Sequence, residues 1–207
     1  MRTCPGHRPT APVERPWPAE AAGGSCREIT EIGNPVVHRR CADIAEFGTA
    51  ELSQLLKDMF FTMHVAHGLG LAANQIGLDL RLFVYDCPGE RGERHIGHIL
   101  NPELHVTGEY QTTRSEGCLS VPGAAWELIR PASVTVRGQD WRGNPVTVSG
   151  TGLFARCLRH ETDHTDGTLF VDRLVPEERY RSLSQMYDNR AAVMAERAEW
   201  ARSMARS

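Results

Sequence analysis

Residues 160 to 164 read His-Glu-Thr-Asp-His, and this H-E-x-x-H pattern constrains the fold more than any other feature of the sequence. Side chains four positions apart share one face of an α-helix, so both imidazoles can bind one metal ion if the segment is helical. Glu161 lies about 100° from His160 around the helix axis. That position suits accepting a proton from a water held by the metal better than binding the ion. The pattern therefore predicts a metal-binding helix with a carboxylate base.

The two histidines leave the third ligand undetermined, because a catalytic metal site needs three protein ligands and a position for water. Downstream, Glu177 or Glu178 could complete a peptidase-like set of two histidines and one glutamate. Upstream, Cys118 lies in the segment SEGCLS before a Pro-Gly pair, where a thiolate could approach the metal. Cys157 precedes His160 by three residues and shares its helix face, so two cysteines and two histidines could instead close a structural zinc site.

A third segment, GLGLAANQ at residues 68–75, is suited to close contact with a ligand. Gly68 and Gly70 would let the backbone approach a bound molecule, and Gln75 offers a side-chain amide. The segment does not fit a phosphate-binding loop, because no Lys-Ser or Lys-Thr pair follows it. A helix end followed by a turn would explain the same residues without any ligand.

These three segments, in this order, resemble the peptide deformylase family. The family motifs are G-x-G-L-A-A-x-Q, E-G-C-L-S and Q-H-E-x-D-H, which read here as GLGLAANQ (68–75), EGCLS (116–120) and RHETDH (159–164). The resemblance covers about residues 29–175. Arg159 replaces the usual Gln and Thr165 a usual Leu, and we expect Arg159 to affect the surroundings of the ligands and not the ligand set.

The resemblance implies an α+β fold with antiparallel sheets packed around a central metal-binding helix, followed by a C-terminal helix. It implies removal of the N-formyl group from the N-terminal methionine of newly synthesised polypeptides, with release of formate. The implied cofactor is one divalent metal ion, with Fe(II) as the native ion and Zn, Ni or Co as substitutes. The implied partners are N-formyl-methionyl nascent peptides, with transient contact to the ribosome.

The functional residues of the family carry over one by one to matching positions. The implied metal ligands are Cys118, His160 and His164. The groups implied to act on the formyl carbon are Glu161 as the base, with the Gln75 side-chain amide and the Leu119 backbone N–H as oxyanion donors. The residues implied to bind substrate are Leu69, Gly70 and Gly117 along the peptide backbone, with Leu69 and Cys157 at the methionine side chain.

Composition and patterning set the organisation around these motifs. The chain has 207 residues, a net charge of −3 and 41% hydrophobic residues, which is typical of one globular domain and gives no sign of DNA binding. No apolar run could span a membrane and no secretion signal begins the chain, so we expect a cytoplasmic enzyme. Residues 1–27, rich in Pro, Ala and Gly, predict a disordered tail before a catalytic domain at 28–175 and a helix at 176–207.

Hydrophobic spacing predicts the secondary structure. Helices are expected at residues 50–67, from about residue 152, and at 176–206. Strands are expected at residues 81–86, 96–101, 133–137 and 145–149, with the last two joined as a hairpin. Helices and antiparallel strands in one chain predict a layered α+β domain.

Overall fold

Three α-helices and seven β-strands form the described part of the chain, which covers residues 16–90, 92–107 and 114–204 of a computed structural model. The helices are α1 (Ala50–Val65), α2 (Gly152–Thr165) and α3 (Pro176–Met204). The strands are β1 (Gly70–Ala72), β2 (Leu82–Pro88), β3 (Arg94–Val106), β4 (Arg114–Cys118), β5 (Val121–Leu128), β6 (Ser133–Gln139) and β7 (Pro145–Thr151).

Five of these strands form an antiparallel sheet in the order β1-β2-β3-β6-β7, while β4 and β5 pair separately. Strand β6 buries Val134 and Val136 on one face, which is the alternation expected of a strand with one side on the core. β6 and β7 pair from Ser133 opposite Thr151 onward, so the predicted hairpin is confirmed. The predicted α+β class is confirmed as well.

Helix α2 is the central element, and almost all of its residues are buried. Phe154 and Leu158, one turn apart, pack with Phe83 and Ile99 of the large sheet. The same helix also buries charged and polar side chains, which are Arg156, His160, Glu161, Thr162, Asp163, His164 and Thr165. Buried charged and polar groups need polar partners, so the side of α2 that faces away from the large sheet must contact polar groups.

Helix α1 packs on the other side of the core through Met59, Phe60 and Met63. Thr49 caps its N-terminus as predicted, because the Thr49 hydroxyl accepts a hydrogen bond from the Leu52 backbone N–H at 3.1 Å. The helix ends at Val65, two residues before the predicted end.

Residues 16–27 pack against α1, which departs from the disordered tail expected over residues 1–27. The carboxylate of Asp58, buried on α1, accepts hydrogen bonds from the Ser25 backbone N–H and the Arg27 guanidinium, each at 2.9 Å. Trp17 contacts Phe61 edge-on, with ring centroids 5.1 Å apart. A buried carboxylate needs hydrogen-bond donors, and this segment supplies them to Asp58. These contacts hold residues 16–27 in place, although the composition of the segment resembles that of a linker. Residues 1–15 lie outside the described residues.

Helix α3 extends from Pro176 to Met204, close to the predicted range, whose last two residues lie outside the described part. Leu183 and Met186 pack against the cluster formed by β5 and its neighbours. No helix among the described residues combines the length and apolar character needed to cross a membrane.

Candidate active site

Strand β4 and helix α2 bring one thiol and two imidazoles together. The Nε2 atoms of His160 and His164 lie 3.1 Å apart, and the Sγ atom of Cys118 lies 3.1 Å from His164 Nε2. The three donor atoms all lie within 4.8 Å of one another. Cys118 is the last residue of β4, and the pairing of β4 with β5 shifts between Gly117 and Cys118, which breaks the regular ladder where the thiol meets the helix.

These donors fit a divalent transition metal. The Nδ1 atom of His160 lies 2.7 Å from Oε1 of Glu116, so this nitrogen carries the proton and Nε2 keeps its lone pair for a metal. Ligand atoms bound to one ion at about 2.1 Å for nitrogen and about 2.3 Å for sulfur lie roughly 3.4 to 3.6 Å apart in a tetrahedron. The two observed separations of 3.1 Å are a few tenths of an ångström shorter. One sulfur and two imidazole nitrogens suit iron(II) or zinc equally well.

The alternative ligand sets do not assemble. Among the described residues, the group that could hold a metal consists of Cys118 and the two histidines without Cys157. The Cys157 thiol instead donates to the Leu69 carbonyl oxygen at 3.5 Å. Glu177 pairs with Arg181 in the first turns of α3, outside this group. The structure therefore supports neither alternative, which were a site of two histidines with one glutamate and a closed site of two cysteines with two histidines.

Glu116 organises a buried charge network behind the histidines. Its carboxylate accepts hydrogen bonds from His160, from Arg130, and from Arg156 at 2.9 Å. Burial alone would raise the pKa of Glu116, but these hydrogen bonds outweigh burial and hold it well below the ordinary value. Arg130 also donates to Asp163 at 2.6 Å, so the network spans α2.

The sequence indicated only part of this network. Glu116 and Asp163 lie inside two of the motifs, so the motifs themselves could have drawn attention to them. Arg130 and Arg156 belong to no motif, and only the folded chain brings them to Glu116.

The Glu161 carboxylate is buried beside the donor cluster. Its side-chain atom Oε2 has no hydrogen-bond partner among the described residues. Burial raises the pKa of Glu161 to about 7, which matches a group that exchanges protons near neutral pH. A Cβ atom at Gly70 would collide with the Glu161 carboxylate, so a side chain at this position of β1 would require the carboxylate to move.

The Gln75 amide is fixed at both ends. Its Oε1 atom accepts a hydrogen bond from the Ala72 backbone N–H at 2.9 Å. This leaves Nε2 facing Ser120 Oγ at 3.2 Å and Cys118 Sγ at 3.6 Å. The side chain therefore presents its donor group to the cluster.

A pocket of about 280 Å³ opens beside these groups. One wall is formed by residues 67–70 with Gln75, and the other by residues 115–119. Its floor on α2 contains Leu153 and Cys157. All the residues expected to act on or bind substrate line this pocket, namely Leu69, Gly70, Gln75, Gly117, Leu119, Cys157 and Glu161.

The two departures from the family motif lie outside the donor cluster. The Arg159 Nε atom pairs with Asp163 Oδ1 at 3.1 Å, one turn along α2. The Thr165 hydroxyl donates to the Thr162 carbonyl oxygen at 2.8 Å. Neither residue belongs to the metal-ligand group found in the described part of the chain.

Comparison with known proteins assigns the chain to a family. The sequence model for polypeptide deformylases matches residues 26–180. The chain belongs to this family. Peptide deformylase 1 of Streptomyces avermitilis is 52% identical over 169 residues, which are 80% of this chain and 78% of that protein. Peptide deformylase 2 of Streptomyces coelicolor is 47% identical over 165 residues, covering 80% of this chain and 92% of that protein.

Solved structures lead to the same family. The crystal structure of a peptide deformylase from Legionella pneumophila aligns with a TM-score of 0.70 at 39% identity, covering 81% of this chain and 98% of that one. The peptide deformylase from Ehrlichia chaffeensis in complex with actinonin aligns at 0.72 and 32% identity, covering 80% and 98%. The protein is therefore a metal-dependent hydrolase that removes the N-formyl group from N-terminal methionine, and the predicted fold and activity are confirmed.

Proposed function

We propose that the pocket between β1 and β4 carries out this deformylation, with Cys118, His160 and His164 holding one divalent metal ion. The observation that carries the proposal is that three donor atoms converge, and that Cys118, His160 and Glu161, whose Oε2 atom has no hydrogen-bond partner among the described residues, line one pocket. The bound ion would supply a Lewis acid that lowers the pKa of a water and polarises the formyl carbonyl. We infer that Fe(II) is the native ion and that Zn, Ni or Co can replace it.

Glu161 acts as the general base and then as the general acid. It accepts a proton as the water oxygen attacks the formyl carbon, and it delivers that proton to the departing amine. The products are formate and a free N-terminal amine. The raised pKa of Glu161, about 7, supports this role because the same group must both take and give the proton.

Two donors stabilise the negative charge that develops on the formyl oxygen. These are the Gln75 side-chain amide and the Leu119 backbone N–H. The hydrogen bond that Gln75 Oε1 accepts from Ala72 supports the role of Gln75, because it fixes which end of the amide faces the cluster. Donors that are already oriented need no rearrangement during the reaction.

The peptide substrate binds in an extended form between the two walls. β1 is an edge strand of the described sheet, so Leu69 and Gly70 lie where an added strand can pair, with Gly117 on the opposite wall. The methionine side chain enters the apolar part of the pocket near Leu69 and Cys157. Glu161 fills the space beside Gly70, so the methyl of an acetyl group would have little room.

Formate release tests the proposal. The chain is purified without oxygen, loaded with Fe(II), Ni(II) or Zn(II), and given formyl-Met-Ala-Ser or acetyl-Met-Ala-Ser. We expect formate from the formyl peptide, no acetate from the acetyl peptide, and the fastest turnover with Fe(II). Absence of formate with every metal, despite one bound ion per chain, would contradict the proposed function.

We further infer that the protein works in the cytoplasm and contacts ribosomes transiently, since its substrates are nascent N-formyl-methionyl peptides. Sedimentation with ribosomes at low and high salt tests this contact. We expect binding at low salt that high salt weakens, because transient contacts with ribosomal RNA depend on charge. Failure to sediment with ribosomes at any salt concentration would contradict it.

A further inference from the structure

The last turns of α3 reach the active site, although the family match ends at residue 180. The helix first passes β5, where the Asn189 amide donates to the Gly123 carbonyl oxygen at 3.0 Å. Two turns farther on, Arg197 contacts the wall that contains Cys118. Trp200 meets the ring of His67 on the other wall, edge-on and with centroids 4.5 Å apart. The end of α3 therefore contacts both walls of the pocket.

Arg197 makes one contact of chemical interest. Its Nη1 atom donates a hydrogen bond to the Leu119 carbonyl oxygen at 3.1 Å. This carbonyl belongs to the peptide group that joins Leu119 to Ser120. The N–H of the same peptide group donates to the Cys118 sulfur at 3.3 Å. A guanidinium, one planar peptide group and the sulfur thus form a continuous hydrogen-bonded chain.

A peptide group transmits polarisation because its C–N bond has partial double-bond character. A positive charge at the carbonyl oxygen withdraws electron density from the nitrogen, and the N–H becomes a stronger donor. Hydrogen bonds to a metal-bound sulfur change how much charge the sulfur gives to the metal. Arginine keeps its charge at every relevant pH, so the effect is constant.

We propose that Arg197 is a positioning residue that acts on the Cys118 thiolate through the Leu119–Ser120 peptide group. It strengthens the hydrogen bond from Ser120 to the sulfur, lowers the charge that the sulfur donates, and keeps the metal a strong Lewis acid. By fixing the Leu119 carbonyl, it also holds the segment that carries the proposed oxyanion donor. This inference rests on the proposed function, because it requires Cys118 to be a metal ligand.

Cobalt(II) loaded into the full-length protein provides a direct readout, since a cobalt–thiolate bond gives a charge-transfer band in the near ultraviolet. In Arg197→Met we expect this band to move to longer wavelength, because a sulfur that loses hydrogen bonding holds its electrons less tightly. We expect kcat to fall about five- to tenfold, at or just below the low end of the roughly 10- to 100-fold loss caused by removing hydrogen-bond partners of metal ligands. KM should change by less than about twofold. Arg197→Lys keeps the charge and should return the band towards its original position.

Two control variants separate this effect from loosening of the helix. Arg181→Met removes an exposed arginine whose partner, Glu177, lies on the same helix, and Trp200→Leu removes the neighbouring contact with His67. Both should leave the band in place. The inference is overturned if Arg197→Met leaves band and kcat unchanged, if the Lys and Met variants behave alike, or if both controls shift the band equally. Absence of the band in the unmodified protein would instead overturn the ligand role of Cys118.

Discussion

Replacing Glu116 with glutamine should destabilise the fold by disrupting the buried charge network. The Glu116 side chain is only 4% exposed and accepts hydrogen bonds from two arginines and His160. The variant leaves Arg156 without its buried carboxylate, whereas Arg130 keeps Asp163 at 2.6 Å. Breaking a buried ion pair costs about 3–5 kcal/mol, and the remaining partner favours the lower end, about 3 kcal/mol.

That energy sets the expected shift in melting temperature. At roughly 2–4 °C per kcal/mol for a chain of this size, the Tm of Glu116→Gln should fall by roughly 6–12 °C. Circular dichroism melts at pH 7 measure it, with metal-loaded and chelator-treated samples compared so that metal loss is not mistaken for fold loss. The matched control is Glu177→Gln, which removes an exposed pair with Arg181 and should cost about 0–1 kcal/mol. A Glu116→Gln melt within about 2 °C of this control would refute the reasoning.

Three further predictions follow from the same geometry. Because the folded chain lowers the pKa of Glu116, the ionised carboxylate stabilises the fold above the unfolded pKa of about 4.3, and this stabilisation is lost as pH falls below that value. Urea titrations from pH 7 to pH 3 should show the difference in unfolding free energy between the unmodified protein and Glu116→Gln narrowing, and a widening difference would contradict this. Gly70→Ala should cut kcat by about 10²-fold, because the new Cβ displaces the Glu161 carboxylate; formate release measures it, and unchanged turnover would show that the carboxylate can move freely. Cys118→Ser should lose the metal while Cys157→Ser keeps it, as measured by elemental analysis, and the opposite result would identify a different ligand set.

Much of the fold followed from local patterns. The helix at Gly152, the α3 range and the β6–β7 hairpin could be predicted because periodicity and turn residues act over a few positions. β1 could not, since three residues carry no periodicity and its strand character comes from pairing with β2. The segment 16–27 was misleading for a related reason, because its order depends on a carboxylate that lies 31 positions beyond Arg27 in the sequence.

In the candidate site too, features set by local sequence could be predicted and contacts between distant segments could not. His160, Glu161 and His164 are neighbours in sequence, so their shared helix fixes their geometry and the motif reveals it. Cys118 needed the family resemblance, since spacing alone left glutamates of α3 as alternatives. Arg130 and Arg197 carried no signal, because each meets its partner only after strands and helices have packed. A single sequence gives least information about contacts between segments that are distant in the chain.

The most direct test of the account compares metal content and formate release in Glu161→Ala. This change removes the proposed base but none of the three proposed ligands, so the variant should bind one Fe(II) per chain as the unmodified protein does. Its rate of formate release from formyl-Met-Ala-Ser should fall at least about 10²-fold, the usual contribution of general acid–base catalysis. Retained metal with near-normal turnover would contradict the central claim that Glu161 transfers the proton.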